Sequence, residues 1–438
     1  MASIRGFRRH CLRTAIGLAS LLFLSCGRTD REALLWTDCP EILAAVDLYN
    51  AGQDRDLVEV RYIPDLPAAL ADIKSQGKGE PSFVLGRGLR ARSLADQFSS
   101  LDHLLGRLSI KTNSFYPGLL SAGKRDDDQI LLPVSFNLLL IVGAGGEESP
   151  APIIDMDEIR RGTLIFNDTG TSKAERLGFS PRWPDVDFLF QWAQLRGVGF
   201  GEPKPGTEKK DAKGELLPLA WNADALDSTV VALRDFVSQV NGSAEIEDAY
   251  AFKYLFSPGY QNVESGKLLF TAMDSSTYFL LPPLTRARLE FRYFGDSGKL
   301  AVRDDITFAG ILRKGGGKNA AEDFLRWFFK AQNQVALLDR SRTLRISESA
   351  FGVAGGFSAL SEVTEKFLPK YYSDLAGKVP PAAAIHPPES MPPFWYRIKK
   401  ELVLPWLASS TGLGAAAPAS VAFASALEGY LDKSPGLR

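Results

Sequence analysis

The sequence predicts an α/β protein of two or more lobes, and three observations lead there. The chain has 438 residues, more than the roughly 250 to 300 at which a single hydrophobic core stops growing, so two or more cores are expected. Hydrophobic residues at 45% and charged residues at 24% give an ordinary globular balance, which excludes a mostly disordered chain, a coiled coil and a protein of many membrane spans. Apolar, β-branched runs alternate with helical periodicity, the pattern of a largely parallel sheet flanked by helices.

Residues 1–25 have the layout of a secretory signal: Arg5, Arg8, Arg9 and Arg13 precede an apolar run from Ala15 to Leu24. That run is about half the roughly 20 residues needed to span a bilayer. Phe23-Leu24-Ser25-Cys26-Gly27 resembles the bacterial lipobox, with Phe23 where leucine is usual, so Cys26 is the expected lipidation site; an ordinary secretory signal is the alternative. Loss of the four leader arginines takes the formal net charge from -1 to -5. Cys11 leaves with the leader and an acylated Cys26 has no thiol, so Cys39 remains alone and an intramolecular disulfide is excluded.

Beyond the leader, Ala33 to Trp36 reads as a strand. Asp38-Cys39-Pro40-Glu41 reads as an N-cap with an acid three residues on, opening a helix to about Asn50 whose Ile42, Val46 and Tyr49 share a face, with Gly52 as its stop. Leu57 to Ile63 is a strand, Pro67 to Gln76 a helix, and Ser82 to Gly86 a buried strand. Leu131 to Asn137 and Leu138 to Val142 are extended and end in a glycine- and proline-rich boundary, Gly143 to Pro152. A second α/β region begins near Asp157. In it Asp185 to Gly197 is amphipathic, 201–213 is a polar surface loop, and Asp227 to Val240 is a helix packing through Val230, Leu233, Phe236 and Val237. Ala320 to Leu338 reads as one long helix, and Pro380 to Pro393 as an irregular wrap over the surface.

The segments Ala33-Leu34-Leu35-Trp36-Thr37-Asp38 with Pro40-Glu41, then Val58 to Tyr62, Leu132 to Asn137, Gly266 to Met273, and Gly310-Ile311 with Asn319 to Leu325 together resemble the family 1 extracellular solute-binding proteins, the capture subunits of ABC importers. The resemblance implies a two-lobed, periplasmic-binding-protein-like fold of type II, each lobe a mostly parallel sheet flanked by helices, with the ligand cleft between lobes. Residues 28–145 plus 303–345 would form the first lobe and 146–302 plus 346–438 the second. It also implies a membrane-anchored, extracytoplasmic monomer that takes a small polar ligand, a sugar or oligosaccharide, and passes it to a membrane permease without a cofactor. A ligand sensor for a signalling partner and a polysaccharide-degrading lipoprotein are the alternatives.

Candidate ligand contacts follow from strand ends and aromatic faces. Thr37 and Asp38 close the first strand and open a helix, where a hydroxyl, a carboxylate and free N–H groups converge; capping alone also explains Asp38. Arg87, in Gly86-Arg87-Gly88, ends the third strand equivalently and suits hydroxyls or a carboxylate. The resemblance adds Asn137, near the hinge, and the turn Asp274-Ser275-Ser276 with Tyr278. Aromatic faces stack on the C–H patches of sugar rings, and of seven tryptophans Trp183 and Trp395, in proline-rich turns, are the platform candidates; Trp192 and Trp327 sit on amphipathic helices and read as packing.

Other chemistries find little support. Three histidines and no Cys/His cluster argue against a metal centre, near-zero net charge without a basic block argues against nucleic acid, and Ser121-Ala122-Gly123-Lys124 lacks the partner motifs of an acyl-transfer site. Asp304 and Asp305 are adjacent in an extended segment and so point to opposite faces, unsuited to paired acid–base work.

Overall fold

The computed structural model describes residues 32–73, 79–106, 108–146, 151–169, 175–182, 187–211, 213–411 and 418–437; the lipobox cysteine Cys26 and Trp183 lie outside them. Nine strands carry the architecture: β1 (Glu32–Thr37), β2 (Leu57–Tyr62), β3 (Phe83–Gly86), β4 (Leu132–Phe136), β5 (Leu139–Ala144), β6 (Phe270–Asp274), β7 (Leu289–Asp296), β8 (Thr307–Ile311) and β9 (Phe357–Ser358). The first sheet runs β9-β4-β8-β3-β1-β2, and the second pairs β7 with β5 and β5 with β6, extended by the short strand Lys299–Leu300. One apolar core packs the first sheet and continues across to one face of the second, and another packs the opposite face of the second sheet.

The expectation of mostly parallel sheets is corrected. Among the named strands of the described residues, β1 with its two neighbours, and Ile153–Ile154 with β7, pair in parallel; β3/β8, β4/β8, β4/β9, β5/β6 and β5/β7 are antiparallel. The reason is the way the chain changes sheet. It leaves the first sheet at Asn137 and Leu138 and returns through Val302 to Asp305, and the two crossings lie side by side in opposite directions, with Arg303 N–H donating to Asn137 O at 2.9 Å and Leu139 N–H to Ala301 O at 3.0 Å. A strand that comes back this way enters antiparallel to the one that left. The pairing also moves two expected boundaries: β5 belongs to the second sheet although it precedes residue 145, and β9 to the first although it follows 345.

Local elements follow their sequences with instructive exceptions. Helix Ile42–Asn50 buries Ile42, Val46 and Tyr49 as its spacing requires, and the helix expected from Pro67 starts at Leu66, capped by Asp65, and ends at Ala71. The long helix expected over 320–338 is two, Lys318–Phe328 and Ala331–Thr343. No glycine or proline breaks it. Instead the Asn333 side chain donates to Trp327 O at 2.6 Å, taking a carbonyl that a continuing helix would have bonded. Helix Ala223–Asp235 runs on into a wider turn, Phe236–Asn241. Late in the chain, helix Ala419–Lys433 packs on the second core through Phe423, which meets Phe200, Trp221 and Trp406 edge-on.

Behind the crossings the lobes share an aromatic seam: Phe279 of the second lobe stacks on Phe351 at 4.5 Å between centroids and touches Phe357 in β9. The stretch from Leu375 to Trp395, containing the expected proline-rich wrap, forms a third connection between the lobes. It is more than a surface covering, since Ala384 and Ile385 are buried.

Candidate functional site

The carboxyl ends of β1 and β3 meet β6 and the crossings at a cleft. At the end of β1 the Thr37 hydroxyl is buried and accepts the Cys39 N–H at 3.0 Å. Asp38 does not cap the following helix, whose N-cap is Glu41 without a side-chain bond. Its carboxylate faces β3 instead and accepts the Arg87 N–H at 3.3 Å and the Cys39 thiol at 3.3 Å. Gly86 permits this approach, because a Cβ there would stand 2.4 Å from Asp38 Oδ1. Burial pushes the Asp38 and Glu41 carboxyls upward against the pull of Arg87. For Arg87, burial acts to lower its value, but Cys39, Asp38, Asp305 and Glu41 leave it raised. The Cys39 thiol is pushed well up by burial and then by Asp38.

The residues from the hinge and from β6 interlock. The Asn137 amide donates to Gly355 O at 3.0 Å, the Ser275 hydroxyl donates to Asn137 Oδ1 at 2.9 Å, and the same hydroxyl accepts the Leu138 N–H at 3.0 Å. Asn137 and Ser275 therefore bind the first crossing to the second lobe, and their polar atoms are committed there. Asp274 caps helix Ser275–Leu280 by accepting the Ser276 N–H at 3.1 Å, and its other oxygen lies 3.2 Å from Arg303 Nε.

Arg303 and Lys399 organise the charges. Arg303, on the returning crossing, also lies 3.3 Å from Asp187 and 4.0 Å from Asp305. Lys399 Nζ stands 2.5 Å from Asp187 and 2.9 Å from Asp304, while the Trp395 indole N–H donates to the same Asp304 carboxylate. Asp304 and Asp305 point apart, as adjacent residues of an extended segment must: Asp304 is buried against Lys399, and Asp305 faces Arg303. Burial works to raise Asp304, but Lys399 and Arg303 hold it below the usual carboxylate value. Lys399 and Arg303 move up despite burial, Lys399 through Asp304 and Asp187, Arg303 through Asp274 and Asp305. Asp274 is pushed up to about 6, by burial first, because Arg303 only partly offsets it and Asp305 adds like charge.

A cavity of about 370 Å³ opens on this network, lined by Asp187, Tyr260, Thr271, Met273, Asp274, Thr277 and Arg303, within the size range of small-molecule sites. Helix Gly259–Glu264 brings Tyr260 to its wall. Gly259 makes that possible, since a Cβ there would fall 2.2 Å from Thr271 Oγ1 on β6.

The structure thus assembles Thr37, Asp38, Arg87, Asn137, Asp274, Ser275 and Ser276 around the crossings, but separates Tyr278 and Trp395 from the cavity. Tyr278 is 1% exposed and packs against Phe279 and Phe291, and Trp395 is buried against Phe190 at 5.3 Å. Both rings are occupied by core contacts and present no free face. Sequence reasoning missed Asp187, Tyr260, Arg303 and Lys399. Tyr260 had a readable signal, standing just after Ser257-Pro258-Gly259; the two cations had none, since they meet Asp187 only through the tertiary fold.

No protein-family sequence model matches the chain, and no curated protein matches it by sequence. Solved structures do match in shape. A cyclic α-maltosyl-1,6-maltose binding protein from Arthrobacter globiformis aligns with a TM-score of 0.59 at 16% identity, over 92% of this chain and 99% of that one. The fold is that of the two-lobed solute-binding proteins. An ABC substrate-binding protein from Listeria monocytogenes in complex with cycloalternan aligns at 0.60 and 11% identity, over 93% and 99%. A maltose-binding periplasmic protein from the same organism, in complex with maltose, aligns at 0.59 and 13%, over 92% and 99%. Among the described residues no helix is long and apolar enough to cross a membrane, and no group of His, Cys, Asp and Glu is placed to hold a metal.

Proposed function

We propose that this chain is the extracytoplasmic, lipid-anchored capture subunit of an ABC importer, which closes two lobes over a sugar or oligosaccharide and delivers it intact to a membrane permease. The observation that carries this is the cavity beside the crossings: polar side chains from the second sheet, from Asp187 and from Arg303 of the returning crossing converge on it, with a half-buried tyrosine at its wall. Sugars are bound by this combination, in which carboxylates and guanidinium groups take hydroxyls and an aromatic face takes the C–H patch. The likeness in fold to proteins named for, or solved with, cyclic maltosyl-maltose, cycloalternan and maltose supports the same class. Two crossings side by side make a hinge, and closure is driven by contacts formed only in the closed state.

Thermal unfolding of the purified chain with a panel of maltose, maltotriose, cyclic tetrasaccharides, amino acids and polyamines tests the ligand class. The reading expects stabilisation by at least one sugar and recovery of that sugar uncleaved; release of smaller products would turn it toward the polysaccharide-degrading alternative. Anchoring is tested separately. Cys26→Ala is expected to abolish labelling by a fatty-acid precursor in the bacterium, and persistent acylation of that variant would remove the lipobox assignment.

A further inference from the structure

The charges around the cleft do not balance. Six carboxylates, Asp38, Glu41, Asp187, Asp274, Asp304 and Asp305, face three cations, Arg87, Arg303 and Lys399, among the described residues. The surplus is not spread over solvent-exposed surface. Asp304 is shut in behind Lys399 with 4% of its side chain exposed, Asp187 and Asp274 are 18% and 15% exposed, and Asp305 Oδ1 is buried without a hydrogen-bond partner.

Arg303 is shared by Asp187, Asp274 and Asp305, and Lys399 by Asp187 and Asp304. A single guanidinium cannot neutralise three carboxylates, and desolvated negative charge without a counter-charge is costly. The cavity opens on the Arg303 side of this network: Asp187 and Asp274 both line it, and Arg303, which Asp305 also draws on, is the one cation that does so among the described residues. Hydroxyl donors of a neutral sugar would satisfy lone pairs there but leave the charge. An ammonium would do both, with three N–H donors to share between carboxylates of the same wall.

Resting on the sugar-binding reading above, we infer that the ligand is a cationic sugar, an amino sugar or short amino-oligosaccharide, whose ammonium is taken up beside Asp187 and Asp274 while its ring lies along Tyr260. The raised Asp274 value supports this placement, because a cation brought to that carboxylate would favour its ionised form over the protonated one.

Calorimetric titration of the purified full-length chain with di-glucosamine, its N,N′-diacetylated counterpart, maltose and putrescine decides the matter. The expected result near neutral pH is that the free amine binds at least roughly ten-fold tighter than the acetylated or neutral sugars. That advantage shrinks toward about pH 5, as Asp274 takes up a proton. D274N should reduce the preference for amine over acetamide, and the comparison of ligands on the unaltered chain holds even if that variant folds poorly. Equal or tighter binding of the acetylated or neutral sugars overturns the cation inference and leaves the sugar reading standing. Binding of putrescine with no binding of any sugar overturns both.

Discussion

Lys399 ties the C-terminal helices to the crossing, and its removal is the most damaging single change expected at this site. It comes from the helical segment Trp395–Ile398 and its continuation, reaches Asp187 and Asp304, and is itself buried. Lys399→Met keeps the apolar stem and deletes the charge, leaving Asp304 desolvated without the ammonium that pairs it. Breaking a buried pair in this way costs about 3 to 5 kcal/mol, to be read as a lowered midpoint in urea unfolding; a loss under about 1 kcal/mol would mean that Arg303 or water takes over. Glu247 makes a different test. It is buried, accepts from Asn241 Nδ2 at 2.5 Å and Ser180 Oγ at 3.0 Å, and is pushed up to about 7 by burial. A carboxyl whose folded value lies above its unfolded one gives stability below the unfolded value, near 4.5, that is lost as pH rises through about 7. Glu247→Gln should flatten the fall in melting temperature across that window, an effect on the order of 3 kcal/mol for a shift of this size. An unchanged profile would show that Glu247 ionises freely.

At the scale of elements, the third connection forms a clasp between the lobes. The Ser390 hydroxyl lies 2.6 Å from Arg90 O and 2.8 Å from Glu202 Oε2, the Glu202 N–H donates to Ser390 O at 2.7 Å, and the Glu202 carboxylate accepts the Arg92 N–H at 2.9 Å. Arg90 and Arg92 follow β3 in the first lobe, whereas Glu202 belongs to the second. Opening must break these bonds. The double variant Glu202→Ala, Ser390→Ala is therefore expected to enlarge the radius of gyration of the unliganded protein in small-angle scattering and to weaken ligand binding several-fold, since the closed state loses contacts the open state lacks; identical scattering would show that the clasp does not restrain the lobes. None of this was readable beforehand. Helix 42–50 and strands 57–62 and 83–86 were, because their periodicity and flanking glycines are local. Strand direction was not, because β8 and β9 take theirs from where the chain crosses, and the break at Phe329 depends on a side chain four residues on.

For the whole molecule, the question is which aromatic surface a ligand meets, and here local sequence misled in a definite way. Tyr278 stands among polar residues and Trp395 among prolines, surroundings that suggest exposure. Their burial is decided by Phe291 and Phe190, more than ten and two hundred positions away. Tyr260, half-buried on the cavity wall, is left as the described aromatic able to stack on a sugar ring. A ligand at 100 times Kd stabilises the folded state by roughly 2.7 kcal/mol, a rise of a few degrees for a protein of this size. Tyr260→Ala should leave the melting temperature without ligand within about a degree, since a half-buried ring surrenders little packing, while cutting the ligand-induced rise by half or more. Tyr278→Ala should do the reverse, losing about 3 to 5 kcal/mol without ligand as a cavity opens in the core, with whatever rise the ligand gives preserved on the weaker base. If instead Tyr278→Ala abolishes the ligand-induced rise and Tyr260→Ala does not, the ligand contacts the seam side of the second lobe, and the cavity at Asp274 is not where it binds.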